Sequence, residues 1–86
     1  MYEVVLSDKA SKYYDRLPAS IQRRINSAID SLETNPLAGP NIKRLTGKLL
    51  GLYRYRIGGL RIIYQVIERE LRVAVIAIGS RGDIYK

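Results

Sequence analysis

The spacing of apolar positions divides the chain into a helical half followed by a strand-like half. An apolar-rich run from Tyr2 to Leu6 predicts a short first strand. Ser7 is placed to cap a helix, with Asp8 in the first turn, where the helix dipole favours negative charge. Ala10, Tyr13, Tyr14 and Leu17 form the apolar side of that helix, and Pro18 breaks it. Ile21, Ile25, Ala28, Ile29 and Leu32 then recur at spacings of four, three, one and three, which predicts a second amphipathic helix. The two helices are expected to run antiparallel around Leu17-Pro18.

From Asn35 to about Lys48 there are two prolines, two glycines and little periodicity, which predicts a long loop. It carries Lys43, Arg44 and Lys48, as either a ligand-binding segment or a solvated basic one. Strict alternation resumes at Leu52–Ile57, with Tyr53, Tyr55 and Ile57 on one side and Arg54 and Arg56 on the other. Gly58-Gly59 predicts a two-residue hairpin turn, which sets Ile57 opposite Leu60 and Arg56 opposite Arg61. In the strand Leu60–Ile67, Ile62, Tyr64 and Val66 then join the tyrosines, while Arg61, Ile63 and Gln65 join the arginines. Glu68-Arg69-Glu70 reads as a turn, and the nearly continuous apolar run Leu71–Ile78 as a central strand buried on both faces, its register open. The fold class expected is α+β: a strand, two antiparallel helices, then an antiparallel three-stranded meander packed on the helices.

Composition narrows the function. A chain of 86 residues, 47% hydrophobic and 27% charged, is expected to form one globular domain over residues 1–86. A net charge of +7 favours a polyanionic or acidic partner. The absence of cysteine and histidine removes thiolate chemistry, disulfides and the commonest metal ligand, so neither metal nor organic cofactor is expected. No apolar run approaches the roughly 20 residues that cross a bilayer, and no signal-peptide pattern opens the chain. A cytoplasmic location without membrane association is therefore expected.

Like charges directly opposed across a strand pair are destabilising, so Arg56 and Arg61 point to an anion held between them. Arg54 shares their face, and Arg81 and Tyr85 leave the end of the last strand, where the chain can fold back over it. Arginine grips phosphate oxygens bidentately and can offset charge that grows during phosphoryl transfer. A tyrosine can stack on a base or, with its pKa lowered by neighbouring arginines, accept a proton.

The order of elements, the segment Leu52-Tyr53-Arg54-Tyr55-Arg56-Ile57-Gly58-Gly59-Leu60-Arg61-Ile62-Ile63-Tyr64 and the ending Ile78-Gly79-Ser80-Arg81…Ile84-Tyr85 resemble the RelE/ParE toxin superfamily. The resemblance implies the toxin of a type II toxin–antitoxin pair, with an antitoxin protein and the ribosome as partners. In its RelE-type members the toxin cuts mRNA in the ribosomal A site, the 2′-hydroxyl attacking the neighbouring phosphate. The family's basic strand pair falls on Arg54 and Arg56, its hairpin arginine on Arg61, and its C-terminal arginine and tyrosine on Arg81 and Tyr85. These residues are implied to clamp the scissile phosphate, assist the leaving 5′-oxygen and orient or deprotonate the 2′-hydroxyl. Lys43, Arg44 and Lys48 are expected to make electrostatic contacts to ribosomal RNA. Lys9, Lys12, Arg16, Arg23 and Arg24 are read as a solvated helix surface in preference to an extension of that contact.

Two departures bear on mechanism. Some relatives carry lysines where this chain has Arg54 and Arg56, and others a histidine where it has Ser80. Arginine is too basic to accept a proton, so Tyr85 is left as the candidate base. If Tyr85 only stacks, cleavage rests on positioning and electrostatics, with negligible activity off the ribosome. ParE-type gyrase inhibition, or a catalytically inactive antitoxin-binding module, are the alternatives on the same fold.

Overall fold

The computed structural model describes residues 1–80, within which two α-helices lie on one face of a five-stranded sheet. β1 (Glu3–Leu6) leads through Ser7 into α1 (Asp8–Asp15). Ser7 acts twice at that junction. Its Oγ accepts from the Ala10 N–H at 3.1 Å, capping the helix, and its hydroxyl donates to the Ile76 carbonyl at 2.7 Å. After the break at Leu17-Pro18, α2 (Ala19–Thr34) begins. The helices are tied by Tyr14, whose hydroxyl donates to Asn26 Oδ1 at 2.8 Å and whose carbonyl accepts from Gln22 Nε2 at 2.8 Å.

The segment after α2 departs from the expected loop. Ile42–Arg44 forms a strand, β2, and Gly47–Leu49 a single 3₁₀ turn. Three residues between Pro40 and Gly47 are too few to show alternation, and pairing to the next strand creates the element rather than its own periodicity. β3 (Tyr53–Ile57), β4 (Leu60–Ile67) and β5 (Arg72–Ser80) follow, so the antiparallel meander has four strands instead of three. β1 adds parallel to β5, giving the order β1-β5-β4-β3-β2.

The hairpin register is the one its glycines dictate, with Ile57 opposite Leu60 and Arg56 opposite Arg61. Gly58 takes a left-handed φ of 54°, which a side chain would resist. The β4–β5 register contains a bulge: Ile63 faces Ala77, Tyr64 faces Val75, and Ile76 is the extra residue. A bulge exchanges faces for everything beyond it. Val73, Val75 and Ile78 consequently all reach the helix-covered core, while Ala77 and Gly79 turn to the open face. Unbulged pairing would set Ile78 beside Arg61. The Ser7 hydroxyl holds the bulged carbonyl, so the helix cap and the strand register share one side chain.

The core is built from Ala10 of α1, Ile25, Ala28 and Leu32 of α2, and Ile57, Ile62, Tyr64, Val73, Val75 and Ile78 of the sheet. Tyr64 lies at its centre. The ring stacks on Tyr53 at 5.6 Å between centroids, and its hydroxyl donates to the Pro36 carbonyl at 2.7 Å, fastening the segment after α2 to the sheet. Burial, with Tyr53 and Tyr55 beside it, pushes the Tyr64 phenol well above the usual tyrosine range. The unfolded chain loses this proton near pH 10 while the folded chain keeps it, so the stabilisation is complete below about pH 10 and is lost as pH rises further. Tyr64→Phe should lower stability by about 1–2 kcal/mol at pH 8, because the Pro36 carbonyl loses its donor. Urea unfolding of both proteins should show that gap narrowing at pH 11; a gap independent of pH would contradict the assignment.

Candidate functional site

Directly opposed residues share a sheet face, so the pairings Lys43–Arg54–Ile63–Ala77 and Arg56–Arg61–Gly79 form two adjacent rows. Both lie on the face away from the helices. Four cations thus occupy one corner of that face, on three neighbouring strands. Arg56 donates its backbone N–H to the Asn41 carbonyl at 2.9 Å, toward β2. Against β4 it therefore stands in a non-hydrogen-bonded pair, the kind in which opposed side chains come closest, with Cα atoms about 4.5 Å apart.

The two arginines of the pair differ in environment. Arg56 is exposed, whereas Arg61 keeps 9% of its surface, between Arg56 and the Cα of Gly79. Ile63 and Ala77, at 4% and 5% exposure, lie in the next row. Neither Arg61 Nε nor Arg54 Nε, both buried, has a hydrogen-bond partner. Buried polar groups are almost always paired, and a buried cation without a counter-ion is costly. The described ion pairs are at the far corner of the sheet, where Arg72 meets Glu70 at 3.1 Å and Glu3 at 3.5 Å. Asn35 to Ile67 contains no aspartate or glutamate, and this stretch supplies all four cations of the corner. Its missing carboxylates are legible in the sequence and mark the site as sharply as the arginines do.

The structure divides the three basic residues of the expected loop. Lys43 joins the arginines because it pairs with Arg54. Arg44, one residue on, points to the opposite face, where its guanidinium lies 5.9 Å from the centre of the Tyr53 ring. Lys48 is exposed on the 3₁₀ turn and belongs to neither row. Arg81 and Tyr85 lie outside the described residues. Among the described residues no three metal-ligating side chains converge. The polar groups of the corner are guanidinium and ammonium, suited to gripping an anion through fixed, permanently charged donors. No helix among the described residues is long and apolar enough to cross a membrane.

The comparisons agree with this architecture. The family model for the ParE toxin of type II toxin–antitoxin systems matches residues 4–85. A RelE-like toxin protein of Escherichia coli is 31% identical over 86 residues, covering 98% of this chain and 90% of that protein. The toxin RelE1 of Methanocaldococcus jannaschii is 31% identical over 87 residues, covering 99% and 96%. The archaeal RelE–RelB complex from Pyrococcus horikoshii contains a chain of the same fold, with a TM-score of 0.81, 29% identity and coverage of 95% and 97%. The chain belongs to the RelE/ParE superfamily of type II toxins.

The opposed pair carries a stability consequence of its own. Arg56→Glu places a carboxylate across from Arg61 and should stabilise the fold by about 0.5–1 kcal/mol. Thermal unfolding at low salt should show Tm raised by roughly 4 °C. A lowered Tm would mean the two guanidinium groups do not repel in the folded protein.

Proposed function

We propose that this protein is a ribosome-dependent endoribonuclease that cleaves mRNA in the A site and so inhibits translation. The observation that carries the reading is the corner of Arg54, Arg56, Arg61 and Lys43, facing one way, with two buried Nε groups unpaired and no ion pair to a carboxylate among the described residues. A phosphodiester supplies what that corner lacks. Arg61, the most enclosed of the four, is assigned the scissile phosphate, and Arg54, Arg56 and Lys43 the flanking RNA backbone.

In this mechanism the 2′-hydroxyl oxygen bonds to phosphorus as the bond to the 5′-oxygen breaks. Arg61 offsets charge on the non-bridging oxygens. By resemblance, Arg81 steadies the charge leaving on the 5′-oxygen, and Tyr85 orients the 2′-hydroxyl or takes its proton. None of these roles requires a metal or an organic cofactor. An antitoxin completes the system as the protein that covers the cationic face; the RelE–RelB complex from Pyrococcus horikoshii supports such a partner. The reading places the protein in the cytoplasm, acting as one domain over residues 1–86.

A second reading, gyrase inhibition, is favoured by one observation: the family model that matches is that of the ParE toxin. Purified protein added to translating ribosomes separates the two, with mRNA ends mapped by primer extension. The wild type should cut within A-site codons, and Arg61→Ala should slow single-turnover cleavage by about 100-fold. Equal cutting by both would remove Arg61 from the site, and no cutting together with blocked supercoiling would assign the protein to the gyrase inhibitors. Tyr85→Phe keeps the ring and removes the hydroxyl, so unchanged cleavage would exclude proton transfer there.

The split between Lys43 and Arg44 gives an independent check. Binding of a single-stranded RNA oligonucleotide, followed against salt, should lose about 0.7 from its log–log slope in Lys43→Ala. Arg44→Ala should leave the slope unchanged. Equal losses in both variants would mean RNA does not distinguish the two sheet faces.

A further inference from the structure

The helix-covered side of the sheet is incompletely covered at its β2 edge. A hollow of about 430 Å³ opens there between the C-terminal half of α2, the segment 35–41 and Tyr55. A second, of about 320 Å³, continues toward Arg24 and Ile57, and the two share Ser31, Asn41 and Tyr55. Together they form one groove beside α2 from Arg24 to Thr34, eleven residues of helix whose ends lie about 15 Å apart. An extended peptide spans that length with about five residues.

The lining resembles a peptide seat more than a small-molecule pocket. On the α2 wall, Ser27, Ser31 and Thr34 are short, so a backbone can approach closely. Ile42 and Tyr55 offer apolar surface opposite. Among the described residues, the side chains of Arg24, Ser27, Thr34, Asn41 and Tyr55 make no hydrogen bond or ion pair, so the groove presents free donors and acceptors along its length. Among the described residues no carboxylate lines either hollow. Arg24 closes one end, its guanidinium lying over the hairpin turn, where a Cβ on Gly58 would sit 3.1 Å from Nη2. A residue with a side chain at position 58 would displace it.

We propose that this groove binds an extended segment of an acidic partner chain, with a carboxylate against Arg24 and alternate side chains over Ile42 and Tyr55. Charge decides the occupant: the chain carries +7, and among the described residues the groove pairs Arg24 with neutral polar walls. RNA is disfavoured, because the α2 wall offers hydroxyls in place of a run of cations. The segment belongs to the antitoxin proposed above, and the inference rests on that reading for its partner. The groove and the cationic corner lie on opposite faces of the sheet, so one partner chain holding both must pass around the β2 edge.

The test uses octapeptides displayed on phage and selected against the purified full-length chain, then synthesised with a fluorescein label and titrated by anisotropy. Selected peptides should carry an aspartate or glutamate near one end. Arg24→Glu should weaken binding at least tenfold, and Ser31→Trp, which fills the groove, should abolish it. Circular dichroism melts establish that both variants fold. Ser27→Ala with Thr34→Ala, which removes two hydroxyls without adding bulk, should weaken binding by severalfold, giving a second readout should the tryptophan disturb packing. Peptides that bind Ser31→Trp and Arg24→Glu as well as wild type, or that a short single-stranded RNA displaces, would overturn the proposal. Peptide binding is read without ribosomes and mRNA cleavage without peptide, so failure of one leaves the other visible.

Discussion

Two guanidinium groups opposed across a hairpin govern much of this molecule. Gly58-Gly59 permits only one pairing of the flanking strands, and that pairing brings Arg56 against Arg61 in the closer of the two antiparallel geometries. Arg61 is buried there with its Nε unpaired, and no acidic residue of the described chain reaches it. A folded state that carries such a pair has given up stability locally, and functional sites are where such conflicts persist. The stretch from Asn35 to Ile67 holds six basic residues and no acidic one, so the repulsion is built into the composition of the segment and reinforced by its register.

The opposite face of the same strands offsets that loss. Because side chains alternate, every residue that sends a cation to one side has neighbours that send Tyr53, Tyr55, Ile57, Ile62 or Tyr64 to the other. Tyr64 contributes a stacked ring and a buried hydrogen bond to Pro36, and through it the chain leaving α2 is held to β4. The bulge at Ile76 extends the division of labour to β5, giving Ile78 to the core and Gly79 to Arg61. Ser7 secures that bulge from the start of α1. The arginine site thus depends on a helix cap on the other side of the sheet, a dependence carried by one hydroxyl.

How much of this was legible in the sequence follows from which interactions are local. The Ser7 cap, the break at Pro18 and the stripe Ile25, Ala28, Leu32 are set within one or two helical turns, and the structure has them where the spacing predicts. The Arg56–Arg61 opposition is equally local, two residues either side of a turn dipeptide. β2 is not, since Ile42–Arg44 becomes a strand only through pairing with Tyr53–Tyr55. For that reason the separation of Lys43 from Arg44 was invisible in a segment read as loop. The bulge was hidden too, because Val73, Val75, Ala77 and Gly79 alternate well enough to conceal an extra residue at Ile76. The groove beside α2 depends on where the helix stops covering a sheet whose width was underestimated by one strand.

On the function proposed above, Arg56 and Arg61 repel in the free protein and a bound phosphate backbone removes the repulsion. A double-mutant cycle on stability, with Arg56→Ala, Arg61→Ala and both together, measures the coupling directly. In low salt the free protein should show an unfavourable coupling of about 0.5–1 kcal/mol. With a saturating single-stranded RNA oligonucleotide the coupling should vanish or become favourable. No coupling in the free protein, or a repulsion that RNA leaves unchanged, would contradict the account.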